Sequence, residues 1–215
     1  VEGIVSDLVR TERFQQQGIG LKYVAGTVQH WQLIASKRSR VSRLDQLGDK
    51  VVGITRFSGT DWLTNQCLEG VKVKGDVYRV QINDVLIRLR MLIGNEIDAA
   101  WLSEPWATLA RQRGGVVLVD SSDRYPVLGV IAFKDEAIRD KRRQKQLSLF
   151  LKGYNMACDS LNAHGLSAYV DVLKKYYRID DKTIAALPKI RYMHAVEPTA
   201  DNIKKVSAFV KTTIN

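Results

Sequence analysis

Between Val51 and Val119 short apolar runs alternate with amphipathic stretches, and most changes of period carry a helix cap or a stop. That alternation argues an α/β fold with a mainly parallel sheet flanked by helices. Val51-Val52-Gly53-Ile54-Thr55 is a strand of the fully buried type. Ser58-Gly59-Thr60-Asp61 then opens a helix through Trp62, Leu63, Cys67 and Leu68. Tyr78-Arg79-Val80 is the next strand, and Asp84 caps a helix with Val85, Leu89, Leu92 and Ile93 on one face, stopped by Gly94. Ile97 to Leu102 and Val116 to Val119 return to strand.

The flanks differ from this middle. Val1 to Asp7 reads as a strand already under way, Leu8 to Gln17 as a helix ended by Gly18, and Leu21 to Ala25 and Trp31 to Ser36 as strands. After a strand over Val127 to Phe133 the chain turns helical. Leu147, Phe150, Leu151, Tyr154, Cys158 and Leu161 line one face of a first helix, and Tyr169, Val172, Leu173 and Tyr176 a second. Asp180 caps a short third, and Ile203, Val206, Phe209 and Val210 mark the last. With 45% hydrophobic residues in 215, the chain can bury a sizeable core. Its apolar runs fall far short of the roughly 20 residues that span a membrane. Cys67 and Cys158, the two cysteines, sit on apolar helix sides as small buried hydrophobes and are expected to be unbonded.

The net charge of +10 suits an anionic partner in general, but the cations fall in two runs. Lys37, Arg38, Arg40 and Arg43 form one, and Arg139, Lys141, Arg142, Arg143 and Lys145 the other. Neither is interleaved with the aromatics of a nucleic-acid platform, so both read as solvated faces and no nucleic-acid partner is expected. Catalytic patterns are thin. There is no phosphate loop and no Gly-x-Ser-x-Gly, and His30, His164 and His194 lack metal-ligand spacing, so neither a catalytic set nor a metal site is expected.

Two features suit a binding site. Ser58-Gly59-Thr60 follows a buried strand and begins a helix, where free N–H groups and the helix dipole favour an anion, with Arg56 beside it. The same spacing serves equally as a capping box of Ser58 with Asp61. In Gly94-Asn95-Glu96-Ile97-Asp98-Ala99-Ala100-Trp101-Leu102-Ser103-Glu104-Pro105-Trp106, Pro105 ends the strand and leaves Trp101, Glu104 and Trp106 near its carboxyl end. Open α/β sheets place ligands there. The bland reading is a core Trp and a solvated Glu.

Taken in order, Leu47-Gly48-Asp49-Lys50-Val51-Val52-Gly53-Ile54-Thr55, Ser58-Gly59-Thr60-Asp61, Gly94-Asn95-Glu96-Ile97-Asp98-Ala99-Ala100 and Glu104-Pro105-Trp106 resemble the solute-binding proteins of the nitrate, sulfonate, taurine and thiamine-precursor ABC transporters. The resemblance implies a periplasmic-binding-protein fold of the type II class, two α/β lobes joined by two hinge strands. It puts lobe 1 at 1–36 and 126–215, lobe 2 at 37–125, and the hinges near Trp31 to Ala35 and Pro126 to Ile131. Family members carry a further strand-helix-strand-helix before the position of Val1. The expectation is therefore a truncated member with lobe 1 incomplete and an apolar face left for other sequence or a partner to cover. Position 48 to 50 reads Gly-Asp-Lys where the family has Gly-Lys-Lys, and the cysteine cluster of the related pyrimidine-precursor synthases is absent.

The resemblance implies a non-enzymatic function: capture of a sulfonate, carboxylate or heterocycle and its delivery to a membrane permease. It also implies a place in the periplasm or at the cell surface, soluble or lipid-anchored, although no signal peptide stands in this sequence. The expected ligand-binding residues are Ser58, Gly59, Thr60 and Arg56, then Trp101, Glu104 and Trp106, with Ser6 and Asp7 from the first lobe and His30 and Trp31 at the hinge beside Gln29. An enzyme of cofactor-precursor biosynthesis on the same fold is the alternative, with Glu104 or His30 as base. The effector-sensing half of a transcription regulator is a third reading.

Overall fold

The structure, a computed structural model, describes residues 1–213. The chain runs β1 (Gly3–Asp7), α1 (Leu8–Gln16), β2 (Leu21–Gly26) and β3 (Gln32–Ala35), followed by single 3-10 turns at Lys37–Ser39 and Leu44–Gln46. The middle supplies β4 (Lys50–Ile54), α2 (Gly59–Leu68), β5 (Val77–Gln81), α3 (Val85–Ile93), β6 (Ala99–Leu102), α4 (Trp106–Gln112) and β7 (Val116–Asp120). Then come β8 (Gly129–Lys134), α5 (Asp135–Arg139), α6 (Lys141–His164), α7 (Val170–Tyr177), α8 (Asp181–Ala185) and α9 (Ala200–Thr213). Among the described residues no helix is long and apolar enough to cross a membrane.

The strands form two sheets. One is β1-β8-β2, with β8 antiparallel to both neighbours, and the other is β5-β4-β6-β3-β7. In the larger sheet β4 is parallel to β5 and β6, while β3 runs antiparallel to β6 and β7. The expected parallel set β4 to β7 is therefore present, with one reversed strand threaded through it. Gln32–Ala35, placed in the first lobe by the sequence reading, pairs in the larger sheet because its buried Leu33, Ile34 and Ala35 fit between β6 and β7. The chain crosses between the sheets just before it. Trp31 donates its backbone N–H to Ser121 Oγ at 2.8 Å, and Ser121 N–H returns to the Trp31 carbonyl at 2.8 Å, so the outward and return connections touch.

Side-chain alternation explains the layers. Ala99 and Trp101 of β6 join Val52, Ile54, Leu33 and Ala35 on the face that α2 covers. Ala100 and Leu102 turn the other way, with Ile34, onto Leu89 and Leu92 of α3 and Ala107 and Ala110 of α4. The α2-side cluster continues into the small sheet through Leu8, Val9, Val130 and Ala132 and takes in Val206 and Val210 of α9. That is one contiguous core under both sheets.

Three readings of the helices change. α4 is a helix where the sequence suggested only the end of a strand, because the residue directly before it is Pro105, which has no side chain to cap with; the Glu104 carboxylate serves instead, accepting from Thr108 N–H at 3.1 Å. α5, also unforeseen, is a single short turn. On α7 Val172 and Tyr176 are exposed, and the buried stripe runs through Val170 and Leu173 onto Trp106 and Leu109 of α4. On α6 only Cys158 is fully buried. Both cysteines are free, and burial pushes the Cys67 thiol up to about 11.

Candidate functional site

Two adjoining cavities lie where the sheets meet. The smaller, about 210 Å³, is closed by the end of β1, the start of α1, the crossing segment at Gln29 and Trp31, the start of α2, and α3. Ser6, Asp7, Trp31, Ser58 and Thr60 line it, so five of the residues expected from sequence converge there. The larger, about 520 Å³, shares Val5 and Gln29 with it and is walled by apolar and aromatic side chains, among them Trp106, Tyr154, Leu173 and Tyr177. His30, Glu104 and Trp106 line this second space.

The start of α2 departs from expectation. Ser58 caps the helix, its Oγ accepting from Thr60 N–H at 3.2 Å and donating to the Thr55 carbonyl at 2.7 Å. Thr60 Oγ1 accepts from Thr55 N–H at 2.9 Å. Asp61 reaches back to Phe57 N–H at 2.9 Å and pairs with Arg79 at 3.1 Å. The Gly59 N–H, the one that should greet a ligand, donates at 2.9 Å to Asp7 Oδ1 from the opposite wall. The same oxygen caps α1 by accepting from Arg10 N–H at 3.1 Å. The chain's own carboxylate thus bridges two helix N-termini, a favourable place for negative charge. Burial nonetheless pushes the Asp7 carboxyl above its ordinary range, against the pull of Arg10 and the Gly59 N–H.

Arg88 is the residue that sequence reasoning missed. It lines the small cavity at 1% exposure. Its Nη1 donates to the Trp101 carbonyl at 2.7 Å and its Nη2 to Thr55 Oγ1 at 3.4 Å, both neutral acceptors. Nε has no partner, and neither does the buried indole N–H of Trp31, whose ring centroid lies 5.5 Å from the guanidinium. Among the described residues no carboxylate forms an ion pair with Arg88. Burial draws its pKa down to about 10, which leaves it charged at neutral pH. Buried charges are ordinarily paired and buried donors bonded. Here a cation and an N–H are both left over against one cavity.

The other expected residues fall elsewhere. Trp101 is 0% exposed and donates its indole N–H to Thr64 Oγ1 at 2.8 Å, a core contact beneath α2 rather than a cavity wall. Glu104 has both oxygens engaged, one with Thr108 and the other with Arg111 at 2.9 Å, so it is not a free acceptor. Trp106 stands edge-on to Tyr177 at 5.9 Å. Arg56 is exposed and lines neither cavity. The basic run Lys37, Arg38 and Arg40 rims a third space, about 790 Å³, beside Lys50 where β4 starts, away from the end of β4 that carries the site. The C-terminal ends of α3 and α4 reach this space too, and cations near helix C-termini are favoured by the helix dipole without any ligand.

Gly59 has a packing role that the sequence hides. A Cβ there would stand 3.0 Å from Leu128 Cδ1 and 3.6 Å from Asp7 Cβ. Gly59→Val is therefore expected to cost about 1–3 kcal/mol of stability through overpacking between the two sheets, read as a lower denaturant midpoint. An unchanged midpoint would show that this contact yields freely.

Solved structures share this architecture. The periplasmic aliphatic sulphonate binding protein SsuA of Escherichia coli has a TM-score of 0.75 at 14% identity, covering 100% of this chain and 71% of its own. The ligand-binding component of an ABC-type import system from Staphylococcus aureus, solved with zinc bound, gives 0.76 at 16%, covering 100% and 74%. The alkanesulfonate-binding protein SsuA of Xanthomonas axonopodis pv. citri, bound to MOPS, gives 0.74 at 14%, covering 100% and 74%. The chain has the two-lobed α/β fold of these solute-binding proteins. Among its described residues no group of three or more His, Cys, Asp or Glu is placed to hold a metal ion. No protein-family model and no curated protein matches the sequence.

Proposed function

We propose that this chain is the solute-binding component of an ABC importer, which captures a small organic solute bearing an anionic group and presents it to a membrane permease. The observation that carries the reading is Arg88, a buried guanidinium with no carboxylate partner, which with Trp31 and its unpartnered indole N–H lines a cavity between the two sheets. An incoming sulfonate or carboxylate oxygen satisfies both donors at once and neutralises the buried charge. The neighbouring aromatic space receives the body of the ligand, in the manner of sites that combine apolar walls with a few polar anchors. The two lobes are the helices built on the small and the large sheet, and rotation about the crossing segments closes them on the solute. The protein acts outside the cytoplasmic membrane, a reading supported by the periplasmic location of a fold neighbour, and is soluble or lipid-anchored there.

Binding without chemistry fits the side chains. Glu104, the candidate base of an enzyme, is spent on capping α4 and pairing Arg111. Native mass spectrometry of freshly purified protein, followed by calorimetric titration of small sulfonates and carboxylates, tests the proposal. A co-purified anion, or saturable 1:1 binding by at least one compound, is expected. Folded protein that carries no solute and binds none of the panel overturns it.

A further inference from the structure

Asp7 and Arg88 divide the small cavity between them. Arg88 and Trp31 both line it, and each keeps one donor without a partner, which the reading above assigns to an anionic group. The second place where this fold could hold negative charge is the start of α2, and it is filled: Asp7 Oδ1 accepts from Gly59 N–H at 2.9 Å, and Ser58 satisfies Thr60 N–H. The side chain of Asp7 is 14% exposed, and Arg10, 3.8 Å from its Oδ2, is the cation beside it. A ligand with one charged end meets complementary charge at Arg88. In a ligand with two charged ends only one group can sit at Arg88, and a second group held within the small cavity meets there a mostly buried carboxylate that already holds the Gly59 N–H. Like-charge contact in a poorly solvated site rejects partners more strongly than it would at an exposed surface.

We infer that Asp7 sets the charge class of the solute, admitting ligands with a single anionic group and excluding those with two, by occupying the α2 N-terminus with the chain's own carboxylate. This rests on the anion-binding reading above and makes it narrower. Asp7 acts as a stand-in for a second ligand group, and it ties the two lobes together through Gly59 while doing so.

A matched pair of probes tests it: ethanesulfonate and 1,2-ethanedisulfonate, titrated by calorimetry into wild type, Asp7→Asn and Asp7→Ser. Wild type should bind the monosulfonate at least about tenfold more tightly than the disulfonate. In Asp7→Ser, which keeps a cap for α1 but loses the charge and the reach to Gly59, the disulfonate should gain about tenfold or more while the monosulfonate shifts by less than about threefold. Asp7→Asn, uncharged yet still able to offer an oxygen to Gly59 N–H, should fall between them. Thermal melts confirm that each variant is folded. If the monosulfonate binds and the ratio is the same in all three proteins, Asp7 has no selective role and the inference falls alone. If neither probe binds any folded variant, the anion-binding reading falls and takes the inference with it.

Discussion

An Arg88→Met variant is expected to fold as wild type and to lose anion affinity by about thirtyfold to several thousandfold, the roughly 2–5 kcal/mol that follows from removing one partner of a buried charge pair. The fold should survive because two effects oppose each other. Methionine removes a desolvated cation that no carboxylate neutralises in the empty site. It also strips the Trp101 carbonyl of a donor at 2.7 Å, a loss of about 1–3 kcal/mol. Arg88→Lys keeps a charge without the planar fork and should retain part of the affinity. Calorimetry with ethanesulfonate, alongside a thermal melt, separates the outcomes. Binding that persists unchanged in folded Arg88→Met would make Arg88 a structural strut between α3 and β6.

Trp101→Ala should be the most damaging single change to stability, about 3–5 kcal/mol, because it empties a fully buried indole site between β6 and α2. For a chain of this size each kcal/mol lowers the melting temperature by about 2–4 °C. Trp101→Phe fills most of the volume and gives up the bond to Thr64, for about 1 kcal/mol. The informative readout is binding in the phenylalanine variant. Ethanesulfonate affinity should stay within about threefold of wild type, since the indole touches neither cavity. A larger loss at near-normal stability would restore Trp101 to the role of a ligand wall.

The elements that were legible in sequence are those whose signals are local. Ser58, Asp84 and Asp180 each cap a helix through a side chain two or three residues ahead of the N–H they serve, so spacing alone announces them. The pairing of Asp7 with Gly59, across 52 positions, has no local trace. It exists only because α1 and α2 start face to face once the core beneath them has packed. Arg88 did leave a mark. It falls on the apolar side of its helix, between Val85 and Leu92 and next to Leu89, and a charge inside such a stripe is either an error of phase or a buried group with a task. Trp101 misled because, although it stands next to the end of β6 as the spacing to Pro105 suggested, all four residues of that strand are buried and its indole turns into the α2-side core. The outward turn of Val172 and Tyr176 shows the same limit, since two stripes on one short helix are equally apolar and only the neighbour decides which is covered.

The reciprocal bonds between Trp31 and Ser121 join positions 90 apart. Everything between them leaves the small sheet and comes back to it at a single point, as a bight of rope is seized where its two parts cross. A segment with adjoining ends is in the position of an inserted domain, able to gain or lose length in its own loops without displacing the host. Changes in the 3-10 turns after β3, or in the loop joining α2 to β5, therefore stay within the large sheet's own territory. The strands β1, β8 and β2 all lie outside this segment in sequence, so their pairing with one another involves none of its residues.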